Sequence, residues 1–273
     1  MKNIWLDLEL SGDIDDAVTL LFALESKMNV KAVSLLNPNK EELSFVRYWL
    51  DYFNQDIALF VHYDKSIKSR NESHKLLKEY TNETYPILSL DKITNNENYI
   101  VLGGGAYTIP KMLKDKGFNN FVLQGGYAGT NLCEEPVLEK FRNKVVCASW
   151  NPNIDKKSTF DIIDAYVDID FISKDICHDS GIDIEFVKTM KNELTKDLLL
   201  KYFDGSSRMK NMHDVVALLY IVDNSFCTME KVALKCKNNH MWYSEKKEYS
   251  KKRISINWDK DKFLELFASN SIL

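Results

Sequence analysis

Between Asp7 and Ala17 the chain reads Asp-Leu-Glu-Leu-Ser-Gly-Asp-Ile-Asp-Asp-Ala, which sets five carboxylates into eleven residues. The apolar run Ile4 to Leu6 before it reads as a short strand, Ser11-Gly12 permits a tight turn, and Ala17 to Leu24 is rich in helix formers. The acids therefore fall at the carboxyl end of a first strand and the amino end of a first helix. In an open α/β sheet that crevice is where ligands bind, and a helix N-terminus tolerates negative charge. Carboxylates this close repel one another, and a bound cation or a raised pKa relieves the repulsion. Oxygen donors without a nearby Cys or His suit calcium or magnesium better than zinc. One or two acids would be ordinary helix-start residues, with Asp13 as cap and Asp15 and Asp16 in the first turn. Five make a cation site the better reading.

Downstream, strand-like and helix-like runs alternate. Val30 to Leu36 reads as a strand, Glu41 to Phe53 as a helix, Ile57 to Val61 as a strand, and Tyr99 to Leu102 as a strand ending in Gly103-Gly104-Gly105. A short helix from Ile109 to Lys116, a strand at Phe121 to Gln124 and a strand near Tyr166 to Ile172 follow. Helices from Ile184 to Phe203 and Val215 to Val222, a strand at Ile254 to Trp258 and a helix at Asp261 to Ala268 complete the reading. Such alternation predicts an α/β fold with an open, mostly parallel (mixed) sheet flanked by helices. No internal repeat or long Pro/Gly/Ser linker breaks the chain, so residues 1–273 are read as a single domain. The basic cluster Lys246-Lys247 and Lys251-Lys252-Arg253 reads as a solvated hairpin flank rather than a phosphate site.

Composition narrows the class. Apolar residues at 45% and charged residues at 28% fit a globule with a substantial core. A net charge of −4 gives no electrostatic case for nucleic acid. No apolar run approaches the ~20 residues of a membrane span, and the start of the chain lacks a signal-peptide core, so a cytoplasmic location is expected. Five widely spaced cysteines, none in a CxxC pair, indicate neither a disulfide framework nor a zinc site.

Two further features carry chemistry. The Gly103-Gly104-Gly105 run lacks both the Gly-Lys-Ser/Thr and the GxGxxG patterns, so a tight strand exit with a carbonyl free to coordinate a ligand is as good a reading as a phosphate loop. Met212-His213-Asp214 precedes an apolar helix. Locally Asp214 is a helix cap, but a calcium ion needs six to eight oxygens, more than one turn usually supplies, and a distant Asp is a natural completing ligand. His213 beside it is a candidate proton donor.

In order along the chain, these segments resemble the nucleoside hydrolase family of the inosine-uridine-preferring type. That family opens with Asp-Thr-Asp, a glycine turn and Asp-Asp-Ala, and its longer variant is similar in register to Asp7 through Ala17. Its Gly-Ile-Thr-x-x-x-Gly-Asn resembles Ala32 to Asn39, and its Leu-Gly-Pro-Leu-Thr-Asn turn resembles Leu102 to Tyr107. Asn143 and Asn151 keep the separation of the family's sugar-binding asparagines, Trp150-Asn151 with Asp155 resembles its Glu-Phe-Asn and following Asp, and His213-Asp214 matches its His-Asp. Glu9 stands where the family has Asp, Ser149 where it has Glu, and Leu8 where it has Thr.

The resemblance implies a Rossmann-like nucleoside hydrolase fold and calcium-dependent hydrolysis of the N-glycosidic bond of a ribonucleoside or related ribosyl compound, in purine or pyrimidine salvage. The implied Ca2+ ligands are Asp15, Asp16, Asp214, Glu9 and the main-chain carbonyl of Ala106. Glu9 and His213 are the implied catalytic groups, and Asn39, Asn143, Ser149, Trp150, Asn151 and Asp15 the implied substrate-binding ones. Trp150, Tyr107, Tyr127 and Tyr202 are candidate walls for a leaving base. A nucleoside or ribosyl small molecule is the implied partner, and a homo-oligomer (dimer or tetramer) is allowed. Two alternatives stand beside this reading: a catalytically impaired ribosyl-binding protein of the same fold, and an N-glycoside hydrolase for a modified or 5′-substituted nucleoside.

Overall fold

The computed structural model of the protein describes residues 2–53, 56–67, 74–93, 98–133, 138–206 and 208–269. Its strands are β1 (Asn3–Leu8), β2 (Val30–Leu36), β3 (Ala58–His62), β4 (Leu88–Ser89), β5 (Tyr99–Gly103), β6 (Asn120–Gln124) and β7 (Cys147–Ala148). They continue with β8 (Asp168–Ile172), β9 (Gly181–Ile182), β10 (Lys210–Asn211), β11 (Cys227–Lys237), β12 (Met241–Lys246) and β13 (Lys252–Trp258). The helices are α1 (Asp15–Glu25), α2 (Lys40–Tyr52), α3 (Thr108–Asp115), α4 (Asn151–Ile154) and α5 (Lys156–Asp164). Then come α6 (Lys174–Cys177), α7 (Ile184–Thr189), α8 (Glu193–Phe203), α9 (His213–Val222) and α10 (Lys260–Ala268).

Eleven strands form one sheet in the order β4-β3-β2-β1-β5-β6-β8-β13-β11-β12-β7, while β9 and β10 pair separately. From β4 to β13 every pairing is parallel; β11, β12 and β7 add antiparallel partners at one edge. The expected open, mostly parallel mixed sheet flanked by helices is thus the observed one. Strand order reverses direction between β1 and β5, so their carboxyl ends open a crevice where α/β sheets bind ligands.

The alternation of side chains along β1 explains what lies on each face. Ile4, Leu6 and Leu8 enter a core with α1, α8, α9 and α10, while Trp5 enters a second core with Val101, Ile109 and Phe171. Helix α1, buried over nearly its whole length, packs on α8 and α9. The second core is aromatic: Trp5 stacks on Phe60 and meets Phe118 edge-on.

The β11–β12 hairpin is absent from the sequence-based reading. Its signal was a three-residue loop, Asn238-Asn239-His240, in which Asn238 and Asn239 both adopt left-handed backbone angles, φ 51° and 63°, which asparagine tolerates. The neighbouring basic cluster ends β12 and opens β13, as a hairpin-flank reading requires of part of it. Arg253, however, makes a two-pronged pair with Asp170, at 2.6 Å from each oxygen, and Lys252 is buried, its ammonium on the Ala165 carbonyl.

Asp7, at the end of β1, is wired into the sheet. Trp5 Nε1 donates to Ser34 Oγ at 2.8 Å, and Ser34 Oγ donates to Asp7 Oδ1 at 2.9 Å. Burial pushes the Asp7 carboxyl well above its ordinary range, against the lowering effect of Ser34. Ser34→Ala leaves a buried indole N–H and a buried carboxyl without this partner and is expected to lower unfolding free energy by about 2 kcal/mol. Urea denaturation of the purified variant measures it.

Candidate metal and ligand site

Two helices bring the first and last acidic motifs together. Asp15 and Asp16 occupy the first turn of α1, and Asp214 the first turn of α9. Neither helix has a side-chain cap, so these aspartates are not spent on capping, the ordinary local use of such residues. Instead one carboxylate oxygen from each of Asp15, Asp16 and Asp214 lies within 4.8 Å of the others, and each residue is only 3% exposed. Separated by some two hundred residues in sequence, they meet because α1 packs against α9 and both begin at the same end of the sheet.

Glycine completes the pocket. Gly104 follows β5, its N–H donating to the Asp7 carbonyl at 2.9 Å. A Cβ on Gly104 would lie 2.9 Å from Asp214 Oδ1 and 3.1 Å from Asp16 Oδ1, and one on Gly105 would lie 3.0 Å from Glu9 Oε2. The backbone can approach the carboxylates this closely only without side chains. The Glu9 main-chain N–H donates to Asp16 Oδ1 at 3.1 Å.

Electrostatics mark the cluster as strained in its bare form. Burial first, then the neighbouring carboxylates, push Asp16 and Asp214 well above the ordinary range; burial raises Asp15 to about 6, with Lys210 opposing. Asp13 goes the other way: burial would raise it, but the Lys210 ammonium in contact with it holds it low. Those same carboxylates hold the Lys210 ammonium above its usual range against its burial. Burial and then Lys210 depress His213 to about 4, leaving its ring neutral near pH 7, with Nδ1 at 3.9 Å from Asp15 Oδ2.

The residues present fit a hard cation. Three buried carboxylates converge, Asp214 Oδ1 has no hydrogen-bond partner among the described residues, and the glycine backbone leaves room beside it.

A cavity of about 320 Å³ opens over this cluster, lined by Glu9, Asp13, Asp15, Asp16 and Asp214 together with Ser149, Trp150, Asn151, Lys174, His178 and His213. The volume suits a small-molecule ligand. Asn151, at the start of α4, donates from Nδ2 to the Gly104 carbonyl at 2.7 Å and to the Gln124 carbonyl at 3.2 Å. Ser149 Oγ accepts from the Gly126 N–H at 3.0 Å, and Trp150 is 62% exposed at the cavity mouth.

Not every candidate from the sequence lies there. Ala106 lines a smaller, adjoining pocket that also borders Glu9. Asn39 caps α2, accepting from the Glu42 N–H in a reciprocal capping box. Asn143 sits in an exposed turn with φ 61° and does not line the cavity. Tyr107 and Tyr127 are fully buried core residues, and Tyr202 packs against Arg208 and His74, so of the aromatic candidates Trp150 alone borders the cavity. The structure adds Lys210, Gln124, Lys174 and His178. The last three line the cavity with no motif around them, because their nearness to the acids is made by the sheet rather than by spacing.

No family model matches the sequence. An uncharacterized protein from Aquifex aeolicus (strain VF5) is 28% identical over 258 residues, covering 84% of this chain and 85% of the relative. Among solved structures, the purine-preferring ribonucleoside hydrolase from Gardnerella vaginalis matches with a TM-score of 0.72 at 13% identity, over 98% of both chains. The plant nucleoside hydrolase PpNRh1 matches with a TM-score of 0.68 at 15% identity, again over 98% of both. These likenesses are of fold.

Two outcomes follow for the acid cluster. A carboxyl whose pKa is raised by folding loses its stabilising contribution between its unfolded and folded values, about 4 to 6 for Asp15 and higher for Asp16 and Asp214. The depressed His213 and His178 act oppositely up to about 6.5, so the metal-free protein should lose stability as pH rises above about 6.5. Thermal unfolding in chelator between pH 5 and 8 should show this decline, and added Ca2+ should flatten it. Gly104→Ala, whose Cβ would collide with Asp214, should weaken Ca2+ binding at least tenfold by calorimetry.

Proposed function

We propose that the protein hydrolyses the N-glycosidic bond of a ribonucleoside or a related ribosyl compound, with Ca2+ as its metal. One observation carries the reading: Asp15, Asp16 and Asp214 converge within 4.8 Å at the strand-order switch of a fold shared with solved nucleoside hydrolases. Hard oxygen donors at such a crevice suit a pentose diol better than an apolar ligand.

A calcium ion held by Asp15, Asp16 and Asp214, with Glu9 and the Ala106 carbonyl as further donors, would supply a hard positive charge that binds vicinal hydroxyls. The remaining chemistry belongs to the chain's own side chains. Glu9, bordering both the main cavity and the pocket of Ala106, takes a proton from water attacking the anomeric carbon. Positive charge developing in an oxocarbenium-like transition state is stabilised by the carboxylates beneath the ring. His213, neutral near pH 7 and with its Nε2 buried without a partner among the described residues, offers an N–H hydrogen bond to the departing group. Trp150 offers a face for a planar leaving base at the mouth. Ser149 and Asn151 border the sugar's position in the same cavity, Asn151 being held by Gly104 and Gln124.

The test is release of base from a panel of nucleosides, measured with Ca2+ and then with excess chelator. Expected are chelator-sensitive hydrolysis, its loss in Asp214→Ala, and a fall of at least a hundredfold in kcat in Glu9→Gln. Turnover that survives complete metal removal refutes the proposal. Ribose binding without turnover, with activity gained in Glu9→Asp, would instead make this a ribosyl-binding protein of the same fold.

A further inference from the structure

The cavity's lining carries both signs of charge. The acid cluster makes up its floor, and Lys174 and His178 form a basic stretch of its wall, with Lys140 against His178 and itself outside the lining. Contacts link the two in a short chain. His213, 3.9 Å from Asp15, has its ring 5.5 Å from that of His178, and His178 Nδ1 lies 2.9 Å from the Lys140 ammonium. Lys174 reaches the carbonyl of Ala148, the residue before Ser149, at 2.8 Å.

Neither lysine forms an ion pair among the described residues. Among the described residues the acids nearest in sequence are engaged elsewhere: Asp170 pairs with Arg253, Asp175 is buried and accepts from the Ala128 N–H, Asp179 pairs with Lys260 and accepts from Trp258, and Glu139 pairs with Arg142. Lys140 and Lys174 instead repel one another and both help hold His178 uncharged, with burial as the largest cause. A neutral His178 that accepts from Lys140 at Nδ1 carries its hydrogen on Nε2, so it is a further donor. One ammonium group and an imidazole N–H in the lining, backed by a second ammonium on His178 and with no ion pair to either lysine among the described residues, are an arrangement that an anion relieves.

We propose that this wall is an anion subsite, and that the substrate is a ribosyl compound bearing a phosphate-class group, read by Lys174 and His178, with Lys140 acting through His178, while its hydroxyls lie on the acid floor. The inference rests on the ribosyl reading above and names its substrate class. A free phosphate alone meets a negative floor, and a neutral nucleoside leaves the cationic wall unused. A molecule with a diol at one end and an anion at the other satisfies both.

Calorimetric titration of the Ca2+-loaded protein with ribose, ribose 5-phosphate and inorganic phosphate tests it. Ribose 5-phosphate should bind at least tenfold more tightly than ribose. In Lys174→Met and in Lys140→Met that ratio should fall toward one, and raising the salt concentration should shrink it in the unaltered protein. Equal affinity for the two sugars, or a ratio indifferent to both lysines, overturns the subsite and leaves the ribosyl reading standing. Binding of inorganic phosphate as tight as that of ribose 5-phosphate also overturns it, since the sugar then adds nothing. If neither sugar binds, the ribosyl reading itself fails and the subsite's substrate fails with it.

Discussion

The mutual repulsion of buried carboxylates is the constraint around which this fold is arranged. Asp15, Asp16 and Asp214 are removed from water almost completely and still held within 4.8 Å. Held ionised, they need positive charge to support that. The N-termini of α1 and α9 supply about +0.5 each, giving roughly +1, and Lys210 adds one more, against four negative charges once Asp13 is counted. About two negative charges stay uncompensated, and a divalent cation cancels that number. Asp214 Oδ1, without a hydrogen-bond partner among the described residues, and the raised pKa values of Asp16 and Asp214, due first to burial and then to the neighbouring carboxylates, fit this count.

Assembly of the cluster depends on the sheet. Because β1 and β5 are parallel neighbours, in register from Asn3↔Tyr99 to Asp7↔Gly103, the acidic turn after one strand faces the glycine turn after the other. The Trp5–Ser34–Asp7 hydrogen bonds fix the end of β1 to β2 from the opposite side. Helix α9 then delivers Asp214 because its apolar residues are buried against α1. The chemistry at the crevice is therefore underwritten by packing well away from it.

Much of this was legible in the sequence, for identifiable reasons. Strands such as Val30–Leu36 are mostly buried runs dominated by apolar residues, and helices such as Lys40–Tyr52 carry one apolar face, so both announce themselves in the sequence. The acid motif was legible because five carboxylates in eleven residues have no ordinary structural use. Asn39 illustrates the limit: its place in a motif suggested a ligand contact, and its side chain is engaged in a capping box. Lys174, His178 and Lys210 illustrate the converse. Lone basic residues carry no local pattern, and only the tertiary fold sets them beside the acids. The β11–β12 hairpin escaped because its loop is Asn-Asn-His rather than the stronger Asn-Gly signal.

Glu9 shows how a departure from a motif can be matched elsewhere in the chain. A glutamate carries one more methylene than aspartate, so at the end of β1 it needs more space and reaches farther. The space is present: Gly105 has no side chain where a Cβ would stand 3.0 Å from both Glu9 Cβ and Oε2. Gly104 plays the same part for Asp214 and Asp16. Two adjacent glycines thus serve different carboxylates, one set gathered in the floor and the other a longer arm bordering both the cavity and the pocket of Ala106. Shortening Glu9 alone would leave a gap above Gly105, and enlarging Gly105 alone would press on Glu9. The bare backbone at position 105 is therefore a condition of the Glu9 side chain standing where it does, since even its Cβ would press on a side chain there.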